Sequence, residues 1–190
     1  PTIGILLRHD VDRLPGNALR IANLENHYNI NSSYYFRIVR SSFSSNIIEK
    51  IGSMGHEIGY HYEDLAVANG NYYKAFQLFK NNLQKFELFH PIKTVVMHGR
   101  PLSNYNSIEL WNKFDFNNTN LLGDAFLSID YSDIFYFTDT GRNWSVNQNN
   151  LRDKPSSVSK SIQIRNTNEL IHFIKTNKNN STYKVTATID

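Results

Sequence analysis

The 190-residue sequence contains no cysteine, which excludes a disulfide framework, a thiolate metal site and a cysteine nucleophile. It has no apolar run near the ~18 residues that a membrane-crossing helix requires. It has no internal repeat and no linker rich in proline or glycine, so residues 1–190 read as one domain, with truncation at one or both ends left open. It also lacks a surplus of charge of one sign. The 20 Lys and Arg residues oppose 17 Asp and Glu, for a net charge of +3. The basic residues are scattered, so no nucleic-acid footprint is expected. A signal peptide is not recognisable either: Pro1 leads directly into strand-like sequence. That tips the expectation toward the cytoplasm, although a leader removed upstream leaves the compartment open.

What is present is globular material. Hydrophobic residues make up 40% and charged residues 19%, enough for one domain with a substantial core. Asn-x-Ser/Thr triplets at Asn31, Asn117, Asn143 and Asn180 read as compositional bias unless the chain is secreted. Apolar runs at Ile3–Leu7, Ser33–Ile38, Glu57–His61, Lys93–Met97, Ile134–Phe137 and Tyr183–Ile189 predict strands, with a shorter one at Ser161–Ile164 and extended chain at Leu121–Phe126. Helical spacing predicts helices over Ala18–Tyr28, Asn46–Met54, Tyr72–Phe89, Ser107–Phe114 and Thr167–Ile174. The polar stretches Asn143–Lys160 and Thr176–Ser181 read as loops. Strand and helix alternate six or seven times. That predicts an α/β fold with a parallel sheet, more readily a closed or nearly closed barrel than an open sheet.

Chemistry-bearing residues fall at the carboxyl ends of these strands, where parallel sheets build their sites. Asp10 and Asp12 follow the first strand, His61 ends the third, His98 follows the fourth, and Asp139 follows the run Ile134–Phe137. In Arg8-His9-Asp10-Val11-Asp12, one carboxylate can bind a metal while the other accepts a proton from water; the plainer reading is an Asp-rich turn that caps the next helix. In Gly55–Asp64, strand geometry puts Glu57, Gly59 and His61 on one face and His56 on the other. Paired with Asp12, His61 is a plausible ligand, and Glu63 can join it. His98 can ligate or orient a carboxylate. Arg100 can bind an anionic group or neutralise a carboxylate. Asp139 can fix a His or Arg of the site. Trp144 can stack on a sugar ring or serve as a core aromatic. His9, His27, His90 and His172 read as structural.

At these residues the sequence resembles the NodB-homology polysaccharide deacetylases, carbohydrate esterase family four. Leu7–Asp12 resembles the family's first motif, which implies Asp10 as catalytic base and Asp12 as metal ligand. Gly55–His61 resembles its Gly-His-Glu-Ile-Gly-Asn-His segment, which implies His61 as a ligand. The family's second His falls four residues later, where this chain has Leu65. The third ligand then comes from His98 first, Glu63 second, or water. The family's third motif has an Arg near the position of His98, so His98 can instead orient the base. Asp139 sits where the family has a supporting Asp, and Trp144 resembles its pocket aromatic. The family's last motif supplies a general-acid His on the final strand, and nothing from Tyr183 to Asp190 matches it. Loss of general-acid assistance typically costs ~10²–10⁴-fold in rate.

The resemblance implies an irregular NodB-like (β/α) barrel, resembling a TIM barrel, with about seven parallel strands. It implies a divalent metal, zinc by its donor set, and removal of acetyl groups from an N-acetylated sugar in a polysaccharide or its precursor. Two alternatives stay open: a non-catalytic, glycan-binding relative, and an amidohydrolase acting on a small non-sugar amide.

Overall fold

The parallel sheet is built by strands that carry apolar residues on one face and polar ones on the other. A computed structural model describes residues 4–100, 102–132, 134–139, 144, 162, 164–177 and 182–189. In chain order the strands are β1 (Gly4–Val11), β2 (Ser33–Phe36), β3 (Glu57–Tyr62), β4 (Thr94–Met97), β5 (Gly123–Asp124), β6 (Ile134–Thr138) and β7 (Thr182–Ile189). The helices are α1 (Pro15–His27), α2 (Ser45–Ser53), α3 (Asp64–Val67), α4 (Tyr72–Glu87) and α5 (Thr167–Thr176), with 3-10 turns at Ser107–Asn112 and Phe116–Thr119.

All six pairings are parallel, in the order β5-β4-β3-β2-β1-β7-β6. That is the circular order of a barrel interrupted between β5 and β6. The expected seven-stranded α/β barrel is therefore observed, but hydrogen bonds do not close it among the described residues. Aromatic rings span the gap. Tyr131 lies 6.1 Å from Phe126, just after β5, and 5.3 Å from Tyr136 on β6, measured between ring centroids.

The main core lies between the sheet's outer face and α1, α2 and α4. Val11, Tyr34, Phe36, Ile58, Tyr60, Tyr62, Val95 and Met97 from the strands meet Ala18, Ala22, Ile48, Ile51, Phe79, Leu83 and Phe86 from the helices. A second cluster joins Phe137, Tyr183 and Val185 to Ile164 and Leu170. Asparagines cap α4 and α5: the Asn71 side chain accepts from the Lys74 N–H, and Asn166 from the Glu169 N–H.

Two expectations change. β1 runs to Val11, so Asp10 lies inside the strand, not after it. The cause is alternation: Arg8 and Asp10 face the barrel interior while His9 and Val11 face the helices, so charge within the segment marks an inner face rather than a strand end. Ile162 and Ile164 are not in a strand. Ile164 is instead core of the second cluster, and its carbonyl accepts from the Trp144 N–H. The two polar stretches read as loops lie outside the described residues, except for Trp144, Thr176 and Asn177.

Candidate metal centre

The inner face of β1, β2, β3 and β4 forms layers that climb toward the carboxyl end. The lower layer is polar and internally satisfied. The Tyr35 hydroxyl pairs with Thr94 Oγ1 at 2.7 Å, Thr94 donates to Glu57 Oε1 at 2.7 Å, and Ser33 donates to Glu57 Oε2 at 2.5 Å. Gly59 makes the layer possible. A Cβ there would sit 2.2 Å from the Tyr35 ring and 3.0 Å from the Thr94 carbonyl oxygen. Only a residue without a side chain lets the ring lie across the strand.

Above this layer, Arg8 grips Asp10 through two hydrogen bonds, Nε to Oδ1 at 2.9 Å and Nη2 to Oδ2 at 2.6 Å. The i, i+2 spacing on one strand face places the fork beside the carboxylate. Arg8 is a site residue that the motifs above do not single out; its signal is that spacing, which shows only because β1 runs past it to Val11.

At the top, three chelating groups converge. Asp12 Oδ1 lies 3.6 Å from His61 Nε2 and 3.4 Å from His98 Nε2, and one ligand atom from each residue falls within 4.8 Å of the other two. Asp10 Oδ2 is 3.9 Å from His61 Nε2. Both imidazoles have their far nitrogen committed. His61 Nδ1 is 3.1 Å from the Val96 carbonyl, and His98 Nδ1 is 3.2 Å from Glu63 Oε2. A carbonyl can only accept, so His61 carries its proton on Nδ1, and its Nε2 lone pair faces Asp12. Glu63 is held in turn by Arg37 at 2.7 Å, with Arg100 Nη1 at 3.8 Å. Glu63 thus lies behind His98 rather than beside Asp12 and His61.

The electrostatics divide the two imidazoles. Burial pushes the His61 pKa down, although Asp10 and Asp12 oppose it. Burial also disfavours charge on His98, but contact with Asp12 and Glu63 outweighs it and raises the pKa. Burial would raise the Glu63 carboxyl, yet His98 and Arg37 bring it down to about 2. Asp12 is lowered too, its histidine contacts overcoming burial.

These groups fit a divalent cation. Asp12 Oδ1 is buried and makes no well-aligned hydrogen bond, with the Nε2 atoms of His98 and His61 at 3.4 and 3.6 Å; a cation seated among the three would complete it. Tetrahedral coordination at about 2.0–2.2 Å spaces neighbouring donors by roughly 3.3–3.6 Å. The two measured separations from Asp12 match that spacing.

The other sequence candidates fall elsewhere. Leu65, at the family's second His position, is fully buried in the main core. It sits on α3, whose single turn begins directly after Glu63 and carries this position away from the site. Asp139 follows β6 at the carboxyl end of the sheet. Trp144, read as a pocket aromatic, packs on the second core cluster and donates from Nε1 to Thr167 Oγ1 at 3.0 Å. His9 behaves structurally, as expected, 2.7 Å from Glu25 on α1.

Neither family models nor curated proteins match the sequence. Solved structures do. Peptidoglycan deacetylase PdaC from Bacillus subtilis superposes with a TM-score of 0.56 at 12% identity, over 96% of this chain and 73% of that one. PdaA from Bacillus subtilis, a family 4 carbohydrate esterase, gives 0.50 at 12% identity, over 96% and 78%. The fold is that of the family 4 carbohydrate esterases. A mutant of BA3943, described as a family 4 pseudoenzyme with restored enzymatic activity, gives 0.52 at 10% identity, over 97% of this chain and 65% of that one. This fold is therefore shared by deacetylases and by a protein described as a pseudoenzyme, so it does not by itself assign an activity.

Proposed function

We propose that this chain is a divergent family 4 carbohydrate esterase, a metal-dependent hydrolase that removes acetyl groups from an N-acetylated sugar in a polysaccharide or its precursor. The observation that carries the reading is the convergence of Asp12, His61 and His98, from the ends of three strands, around a carboxylate oxygen that makes no well-aligned hydrogen bond. In this reading His98 replaces the histidine that Leu65 cannot supply, and Glu63 orients it. Two imidazoles and one carboxylate make zinc the preferred ion. The ion supplies Lewis-acid polarisation of the acetamide carbonyl and brings the pKa of water near 7.

The chain's own groups do the rest. Asp10 takes the proton of the attacking water and returns it to the sugar nitrogen as the C–N bond breaks and acetate leaves. Arg8 fixes the carboxylate in place while each oxygen keeps a lone pair for that proton. Asp139 is assigned a supporting carboxylate's part at the same mouth. Arg100, about half exposed beyond Glu63, is assigned to substrate binding, and so is the open part of Trp144.

The test is a zinc titration of the purified chain beside its Asp12→Ala, His61→Ala and His98→Ala variants, followed by acetate release from N-acetylglucosamine oligomers and from small amides. Wild type should bind one zinc per chain, and each variant should lose at least 100-fold in affinity. Acetate should come from the sugar and not from small amides. Wild-type protein that takes up no zinc, or variants that bind it equally well, would overturn the reading.

A further inference from the structure

The loop that leaves β2 brings no ligand to the cluster, yet it bonds to the surroundings of two of its members. Arg37, the first residue after β2, donates to Glu63 Oε1 from Nε at 3.2 Å and from Nη2 at 2.7 Å. Its backbone N–H donates to Ser42 Oγ at 3.1 Å. Ser42 is fully buried and donates in turn to the carbonyl of Val11, the residue before Asp12. A chain of hydrogen bonds therefore runs from the exit of β1, through Arg37 and Glu63, to His98 Nδ1.

Glu63 needs that hold. It stands at the N-cap of α3, but its side chain makes no capping hydrogen bond and turns to Arg37 and His98 instead. With Arg37 on Oε1, the other oxygen, Oε2, meets His98 Nδ1 at 3.2 Å, while Arg100 Nη1 stands 3.8 Å from the same Oε2. His98 follows β4, and its backbone N–H is bound to the Tyr62 carbonyl at 2.8 Å. That bond fixes the main chain but not the ring, so the direction of Nε2 depends on what Nδ1 meets. Without Arg37, the carboxylate can swing toward Arg100, and the ring loses its stop.

We propose that Arg37 is a positioning residue for the metal centre: from the end of β2 it holds Glu63 so that Glu63 keeps the Nε2 of His98 turned to Asp12. The inference rests on the metal-binding part of the proposed function and adds to it a residue outside the ligand set. The sign of its effect separates positioning from plain electrostatics. A guanidinium near a cation-binding cluster repels the ion, so charge alone predicts tighter zinc binding once Arg37 is neutralised. Positioning predicts weaker binding, by roughly the 10–100-fold usual for groups that support a ligand.

The experiment titrates zinc into the full chain against a competing chelator, for wild type, Arg37→Met, Arg37→Lys, His98→Ala and the double variant Arg37→Met, His98→Ala. The thermal midpoint of each metal-free sample is recorded beside it. Arg37→Met should bind zinc about tenfold more weakly or worse. Arg37→Lys, which keeps a charged donor for Glu63 Oε1, should recover most of that loss. In the His98→Ala background, Arg37→Met should change zinc affinity by less than about twofold, because no ring is left to orient. A role in folding alone would lower affinity by the same factor in both backgrounds. The pair Arg37→Met, Glu63→Gln leaves no buried carboxylate uncompensated, so it keeps the fold even where Arg37→Met loses it, and it should bind zinc as weakly as Arg37→Met. Unchanged or tighter zinc binding in Arg37→Met or in that pair, an equal loss with and without His98, or a wild type that takes up no zinc would each overturn the inference. Failure of the hydrolase reading looks different: wild type that binds zinc, weakened by Arg37→Met, yet releases no acetate from N-acetylglucosamine oligomers.

Discussion

Arg8 and Asp10 form the most demanding pair in the molecule. Their side chains are 3% and 9% exposed, so both charges have left water and depend on each other. Removing one partner strands the other. Arg8→Met should therefore cost about 3–5 kcal/mol in urea denaturation. The double variant Arg8→Met, Asp10→Leu should recover most of that loss, because it removes the pair rather than halving it. Activity should not return with stability, since the proposed base is gone. A double variant as unstable as the single one would mean that the pair stabilises the fold in its own right. The arrangement gives the barrel interior a fixed carboxylate beside the metal-competent cluster, a preorganisation that a solvent-exposed Asp would lack.

At the scale of elements, the outer layer carries its own buried acid. Asp64, at the start of α3, accepts from the Tyr60 hydroxyl at 2.8 Å and from Asn82 Nδ2 on α4 at 2.9 Å. Burial dominates these bonds and pushes its pKa up to about 7. Between pH 3.8 and about 7 the folded chain holds a proton that the unfolded chain has released. This group's contribution is then complete at acid pH and is lost as pH rises through that window. Asp64→Asn should flatten that component in denaturation midpoints measured from pH 4 to pH 8. An unchanged pH profile would show that Asp64 ionises normally.

The elements themselves were largely legible in the sequence. β2, β3, β4 and the long α4 announce themselves as apolar runs or helical stripes, because each buries a whole face against its neighbours. α3 did not, since one turn has no period to read. The extent of β1 was hidden by Arg8 and Asp10, whose charges point into a barrel interior that no single strand reveals. For the same reason Asp12, His61 and His98 could be nominated separately, but their 3.4 Å and 3.6 Å separations arise only from parallel register among four strands. The part played by Arg8, and the inward packing of Leu65, depend on which way a side chain faces, and spacing specifies that only once the strand ends are known.

Over the whole molecule, the candidate centre ties together parts of the sheet that are distant in sequence. Asp12 leaves β1, His61 lies within β3, and His98 leaves β4, while the unfolded chain holds no such constellation. An ion that binds the folded state alone stabilises it by mass action, about 2.7 kcal/mol when its concentration is 100 times the Kd. For a chain of this length, each kcal/mol moves the melting temperature by roughly 2–4 °C. Zinc at that excess should therefore raise the midpoint by about 5–11 °C over metal-free protein in scanning calorimetry. His61→Ala should melt without response to zinc, whereas Arg8→Met, although less stable, should keep its response because it leaves all three chelating groups intact. A zinc-induced shift of equal size in His61→Ala would place the ion elsewhere on the surface and detach the strand-end cluster from metal binding.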